Sequence, residues 1–523
     1  MPRFAVRKIG LFLLSASLIT FSPVKASASA CNWDTAKGWV ARENAKAGNS
    51  NWAANIAIQY AGDYARRDQN GGFDKWIETG VKGKRVEGWF DVPSAICGET
   101  VNMHLSGNAL PVKIFAYRLG YYGGANARLV AEYETKKAIP SHEAPKITVA
   151  PRSTVTTNWP VNFQFKVSEN TPPGQYLFRL DDGSGKPTFV PLMITNPENK
   201  YELTFVSAVM TWQAYNQWGG YSLYKGPNIR RASRATVVSF DRPYDGDGSG
   251  QTRYMEAPLL RVAEKLGLDI NYATDFELDQ NSPMIKNATS ILFGGHDEYW
   301  TNNMRDNLQA AINRGSNVIN FGGNTGYNRI RIESDNQLAM WRRTKGDPYA
   351  TVKDKATLPW RLAPIKEPES LLLGAQYIGL GVSGSYKVTH PDRWPFNAMV
   401  IPETLTLVVG REVDSPLYSP GPAVESLASS EINLRGQKAT AMATYYTTKS
   451  GAGVLNISTN GWICSMAALC PWHTVVPISV REDVRSVTEA ILTEAAKGPL
   501  AKRHPMIVDV KARTTTMKFS ENA

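Results

Sequence analysis

Histidine and cysteine are scarce in this chain, six and four residues among 523. With so few imidazoles and no HExxH, a histidine-rich zinc site is not expected. Cysteines 31, 97, 464 and 470 are spaced too widely for a four-thiolate metal site. There is no GxSxG, and no cysteine follows a strand as an elbow nucleophile, so serine-elbow and cysteine amidotransferase chemistry are both set aside. After Phe21 no run approaches the roughly 20 apolar residues of a spanning helix. There is no internal repeat and no dense basic stripe. Of the net charge of +11, four basic residues lie in the first thirty positions, leaving about +7 for the rest. A balance of that size keeps a protein soluble and does not imply nucleic acid.

What is present begins with a leader pattern. Arg3, Arg7 and Lys8 precede an apolar run from Ile9 to Phe21, and ASASA ends at Ala30. That reads as a secretory signal, too short for a stable membrane span. Residues 1–30 are therefore expected outside the fold, and the mature chain in a secreted or periplasmic setting. Cys31 follows the cleavage site and has two readings. A lipid-anchored cysteine would want a better apolar residue than Ala28 three places before it. A disulfide with Cys97 suits an oxidising compartment. Cys464 and Cys470 are the second pair expected.

The texture then changes twice. Residues 31–85 form an N-terminal extension with some helical pattern and no assignable role. From 86 to 198, short alternating runs such as TVNMHLSG, PVKIFAYRLG and GQYLFRLDDG are cut by Gly, Pro and Asn, the spacing of an antiparallel β-sandwich. From 199 to 495, strand and helix alternate (ELTFVSA, MEAPLLRVAEKLG, LDINYAT, SILFGG, TNNMRDNLQAAINRG, SNVINFGG), which indicates an α/β domain with a mainly parallel sheet. β texture returns between about 345 and 460, and a basic tail over 496–523 is expected to be loose.

Ligands of an open parallel sheet sit beyond the carboxyl ends of its strands. Three such ends are chemically loaded: ELTFVSA runs into VMTWQAYNQWGGYSLY, SILFGG into HDEYW, and NVINFGG into NTGYNR. If these strands are neighbours, Tyr215, His296, Glu298 and Asn324 open on one crevice. Taken alone, HDEYW would also suit a helix N-terminus, where acids favour the dipole and the aromatics simply pack. Three polar-aromatic crests at one edge are less easily explained by capping.

The donors on offer are oxygens, the phenols of Tyr215 and Tyr221 and the carboxylate of Glu298. A phenol ionises near ~10 in water, and a ferric ion would hold it as phenolate, so this donor set suits a hard, highly charged metal. In DGDGSGQTRYME, Asp245, Asp247, Ser249 and Glu256 have the spacing of a calcium loop. No helix precedes that stretch and Ser249 stands where Asp or Asn is usual, so a flexible surface loop is the preferred reading. Gly379, Gly381 and Gly384 form a GxGxxG, but SYKVTH after it reads as strand.

The phrases YNQWGGYSLY, SFDRPY, FGGHDEYW, NFGGNTGYNRIRIE, LPWRLAPIKEPESLLLGAQY and VVGREVD resemble, in order, the core domain of the N,N-dimethylformamidase large subunit. Upstream, VKIFAYRLGYYGGANARLV and TPPGQYLFRL resemble the sandwich that precedes it in that family. The resemblance covers about 86–495. It implies an antiparallel, Ig-like β-sandwich followed by a Rossmann-like, class I glutamine amidotransferase-like α/β domain with β elaborations. It also implies an amidohydrolase with one iron held by two tyrosines and a glutamate, here Tyr176, Tyr215 and Glu298. Tyr176 would come from the sandwich and place the metal in an interdomain cleft. His296, Asn324 and Glu412 match the residues the family places around the metal, although Arg411 stands where an aromatic is usual. In those roles Glu412 would take and return a proton, Asn324 would donate to the oxyanion, and His296 would orient substrate or tune the metal.

The export pattern departs from a family known for an intracellular enzyme. A small amide or amino-sugar-like substrate is expected, with no nucleic-acid partner and a homo-oligomer as a further expectation. The alternative is a non-catalytic cell-surface or glycan-binding protein on the same scaffold. Such a protein would have no need to converge two tyrosines and a glutamate.

Overall fold

The computed structural model describes residues 31–34, 36–54, 86–142, 144–185, 187–198, 201–227, 230–334, 336–342, 346–400, 403–467 and 476–514. The leader pattern and Cys470 lie outside them.

Two sheets form the first layer pair. Glu87–Phe90 (β1), Thr100–Ser106 (β3) and Val161–Lys166 (β6) pair in the order β1-β3-β6. Ser94–Ala95 (β2), Lys113–Leu119 (β4), Ala127–Glu134 (β5), Gly174–Asp181 (β7) and Thr188–Ile194 (β8) pair in the order β2-β8-β7-β4-β5. Alternation drives the assembly: in β3, Val101, Met103 and Leu105 are buried while their neighbours are not. Those side chains share one core with Ile114, Phe165, Phe178 and Leu180 from both sheets.

The second layer set is a nine-stranded mixed sheet. Leu203–Ser207 (β9), Ile270–Thr274 (β10), Ser290–Phe293 (β11), Asn317–Asn320 (β12) and Gly453–Asn456 (β17) run parallel in the order β10-β9-β11-β12-β17. Gln376–Val388 (β13), Thr404–Ser415 (β14), Glu425–Leu434 (β15) and Gln437–Thr447 (β16) extend it antiparallel as β17-β16-β15-β13-β14. The parallel strands are buried along their whole length, as expected where both faces are covered. The molecule is thus a mixed α/β protein, and the GxGxxG lies within β13 as strand.

The first described residues fasten these layers together. Trp39–Asn44 (α1) buries Trp39 and Val40 beside Leu259, Leu260 and Val262. Those three belong to Ala257–Lys265, named α3 below because Val209–Tyr215 (α2) precedes it. Asp269 accepts from the backbone N–H of Gly38 at 2.6 Å and of Val40 at 3.3 Å, satisfying the start of α1. On the other side Cys31 is bonded to Cys97 in the sandwich. That thiol is therefore taken, which corrects the lipid-anchored alternative. Cys464 is also disulfide-bonded.

The tail, as far as residue 514, is a second correction. It is held by backbone bridges from Val510 to Val424 and from Arg513 to Gly421, and Glu425 accepts from the Ile507 N–H at 2.8 Å. Burial of unpaired edge groups is avoided by this docking, so charge content alone misjudged it. Among the described residues no helix is long and apolar enough to cross a membrane.

Candidate active site

The register brings four strand ends level. Val206 lies opposite Phe293, Phe293 opposite Asn320, and Asn320 opposite Asn456. From each end a crest rises, three foreseen and one, after β17, not. The paired glycines let these crests touch. A Cβ on Gly322 would meet the Gly295 carbonyl oxygen at 2.5 Å, and one on Gly323 the backbone carbonyl oxygen of Glu412 at 2.9 Å. Any side chain there would push two crests apart.

HDEYW is not a helix cap. Tyr299–Trp300 pairs in parallel with Asn328–Arg329, and the next helix, Asn302–Arg314 (α4), is capped by the Thr301 hydroxyl. The two acids lie upstream of that cap and are buried. Tyr215 closes α2 and donates its phenol proton to Glu298 Oε2. Asn328 Nδ2 donates to the other carboxylate oxygen at 2.5 Å. His296 Nε2 lies 3.7 Å from Glu298 Oε2 and 2.9 Å from Glu412 Oε2. The latter contact is a close ion pair, through which each group favours the other's charged form.

Glu412 reaches this point through an irregular strand. Arg411 has φ 57°, in the left-handed region, and the β13–β14 register shifts beside it. Such a bulge re-aims the next side chain. Asn460, from the unforeseen fourth crest, donates to Glu412 Oε2 at 2.9 Å. Asn324, also left-handed at φ 59°, donates its backbone N–H to Asp414 at 2.7 Å, and its side chain neighbours Glu412.

The electrostatics follow from burial and proximity. Burial would raise the Glu412 carboxyl, but the His296 charge and then Arg411 and Asn324 outweigh it and hold it below the ordinary value. His296 is the mirror case: burial disfavours its charge, yet Glu412 and Glu298 raise it. Burial raises Glu298, opposed by Arg342 and His296. Burial raises Tyr215 well above the usual phenol, with Glu298 and Glu412 adding to it. Behind the crest, burial pushes Asp297 up to about 7.

Two expected donors lie elsewhere. Tyr176 is fully buried in the sandwich core, donates to the Pro172 carbonyl at 2.7 Å, and has Arg118, Tyr122 and Glu43 as its charged or polar neighbours. Its strand register aims it between the sandwich sheets and away from the crevice. Tyr221 packs by Trp218. In their place stand residues the sequence reading missed. Tyr224 and Tyr299 have ring centroids 5.4 and 5.9 Å from that of Tyr215. Arg342 donates to the Tyr299 hydroxyl and faces Glu298. Tyr224 ends the same YNQWGGYSLY phrase, so it was in view; Arg342 carried no signal.

The calcium reading fails on geometry, and so does the surface loop. Asp247 is buried, accepting from Ser249 N–H at 2.9 Å and pairing with Arg253 at 2.7 Å. Asp245 accepts from the Gln217 N–H at 3.0 Å. Glu256 points elsewhere, accepting from Ser207, Ala208 and Gln175. The donors are consumed by separate protein partners.

Among the described residues no group of three or more His, Cys, Asp or Glu is arranged to hold a metal ion. A site of phenols and one carboxylate would not be such a group. Its donor chemistry is met by Tyr215 and Glu298, whose oxygens touch, and is not met by Tyr176.

Comparison with known proteins bears on the whole chain. No curated protein matches. Among solved structures, a cycloisomaltooligosaccharide glucanotransferase from Paenibacillus sp. complexed with cycloisomaltoheptaose aligns at 8% identity and a TM-score of 0.16. The alignment covers 58% of this chain and 61% of that one. A likeness so slight carries no argument. A family model described as N,N-dimethylformamidase beta subunit-like, C-terminal, matches residues 113–475, which include every residue of the crevice. The chain belongs to the N,N-dimethylformamidase beta subunit-like family.

Proposed function

We propose that this chain is an exported hydrolase of C–N amide bonds, working at the crevice of Tyr215, His296, Glu298, Asn324 and Glu412. One observation carries the reading: two strand crests and a bulged strand, far apart in sequence, bring a phenol, an imidazole and two carboxylates into contact. Tyr215 and Glu298 would hold a ferric ion, which when bound would supply Lewis acidity toward the amide carbonyl.

The chain's own groups account for the proton traffic. Glu412, kept ionised by His296, takes a proton from the attacking water at Oε2. His296, paired with Glu412, orients the substrate and passes a proton on toward the leaving nitrogen. Asn324 beside Glu412 donates to the developing oxyanion, a contribution of ~3 kcal/mol where such donors have been removed in other enzymes. The parallel half of the sheet is read here as a Rossmann-like, amidotransferase-like scaffold with this crevice at its strand ends. The leader pattern and the Cys31–Cys97 bond support a secreted or periplasmic site of action.

The test is metal analysis and a visible spectrum of the purified protein beside Tyr215→Phe, followed by an amide-substrate screen. One iron per chain, with a phenolate band that weakens in the variant, and amide turnover lost in Glu412→Gln, is expected. A colourless protein that takes up no iron and turns over no amide would overturn the reading in favour of a binding role.

A further inference from the structure

The crevice is acidic inside and basic at its mouth. From Leu203 to Phe240 the chain contains no acid but carries Lys225, Arg230, Arg231 and Arg234. The segment from Asn336 to Gly346 is likewise free of acids and carries Arg342. The fold clamps these two segments together: Val237–Ser239 pairs antiparallel with Gln337–Ala339, and Met340 N–H donates to Thr236 O at 2.9 Å.

Between them stands Tyr224. Its ring lies 5.4 Å from Tyr215, and burial followed by Arg231, Glu298 and Glu412 sets its charge environment. The Arg231 guanidinium sits 4.9 Å over the same ring and donates to the Tyr224 hydroxyl at 2.7 Å. Arg342 approaches the ring at 5.5 Å. A continuous path therefore runs from the buried carboxylates through two phenol rings to an exposed guanidinium. Arg230 and Arg231 are exposed, and neither has a carboxylate within 4 Å among the described residues.

We propose that the substrate of this crevice is an amide carrying a carboxylate away from the scissile bond, of the N-acyl amino acid class, with that carboxylate held by Arg231 and Arg230. This rests on the amidohydrolase reading above. A guanidinium in a planar fork matches a carboxylate, and stacking on Tyr224 fixes the orientation of Arg231. The buried Glu298 and Glu412 repel an anion, so the acyl end enters and the carboxylate stays at the rim. In the reaction the acyl C–N bond breaks, water's hydroxyl joins the acyl carbon and its proton joins the nitrogen, releasing a carboxylic acid and an amino acid. No redox partner is needed.

The experiment compares a panel of N-acetylated amino acids with their methyl esters, on the wild type and on Arg231→Glu, at low and high salt. Amide turnover and equilibrium binding are measured in parallel. The expected result is a KM for the acids about tenfold below that for the esters, equivalent to ~1.4 kcal/mol, with kcat little changed. That preference should shrink with salt and collapse in Arg231→Glu, with Arg230→Glu showing a smaller loss. Equal KM values for acid and ester, unmoved by either variant, would overturn this inference while leaving the amidohydrolase reading standing. If nothing in the panel is hydrolysed while the wider amide screen finds a substrate, the substrate class named here is wrong; if that screen also finds none, the amidohydrolase reading fails. The binding arm then decides the anion site: acids that bind no better than esters sink it, and salt-sensitive binding lost in Arg231→Glu keeps it.

Discussion

Two of the buried clusters of charge among the described residues are built on opposite principles. At the junction of sandwich and α/β layers, Arg118 is fully buried and every donor is used. It meets both Glu264 oxygens at 3.0 Å, the Tyr122 and Tyr272 hydroxyls, and the Pro173 carbonyl at 2.9 Å. Glu43 is balanced in turn by Arg128 and Lys46, each at 2.6 Å. At the crevice, by contrast, carboxyls outnumber cations. Burial pushes Asp297 and Asp414 each up to about 7, and nearby Glu256 up to about 8. A compensated cluster holds elements together; an overcrowded one with polar atoms left open stores free energy that a ligand can release.

The comparison breaks first at Arg118. Arg118→Met should cost ~3–5 kcal/mol, because Glu264 is left buried and unpaired. Thermal melts would show it, and the double variant Arg118→Met with Glu264→Leu should recover most of the loss. An unchanged melting temperature in the single variant would mean that the junction is not compensated as described. At the crevice the expected pattern reverses. Tyr215→Phe should lower kcat/KM about a hundredfold, or ~2.7 kcal/mol, while leaving the melting temperature level or higher. A matched loss of stability would make Tyr215 another structural residue.

Glu256 sharpens the contrast by pH. Its folded carboxyl, raised by burial to about 8, keeps a proton that the unfolded chain releases near ~4.3. Its contribution to stability is therefore whole below the unfolded value and is lost as pH rises through about 8. Glu256→Gln should match the wild type at pH 4 and exceed it at pH 6 by ~2 kcal/mol in denaturant titrations. The smallest effect is at α4, outside both clusters. Thr301 accepts from the Met304 N–H at 3.1 Å, and Thr301→Ala should cost ~1 kcal/mol with turnover nearly unchanged.

Much of the framework was legible because its signals are local. SILF and NVIN are short apolar runs between turn residues, and both are parallel strands; TVNMHLS alternates, and it is a sandwich strand. The crests were legible because a polar burst after a buried strand has few other uses. What could not be read was anything set by distant register. Tyr176 and Tyr215 look alike in sequence, but one faces the inside of a sandwich and the other ends a helix at the crevice. Asn460 was hidden because GVLN reads as one more run of the β texture over 345–460, whereas it pairs in parallel with β12. Glu412 is aimed by the left-handed turn at Arg411, which residue type does not announce. The tail was misread because its anchors are backbone bridges that no side-chain pattern records.

The position of β17 has a consequence for how the chain is made. It is the last strand of the large sheet to be synthesised, yet it sits between the parallel half and the antiparallel half and pairs with both. Until residue 456 has emerged, the two halves have no common edge, and Asn460 cannot reach Glu412. A sheet closed by so late a strand has high contact order and forms slowly. The crevice, which needs Asn460 beside Glu412, is therefore among the last features of the molecule to be completed.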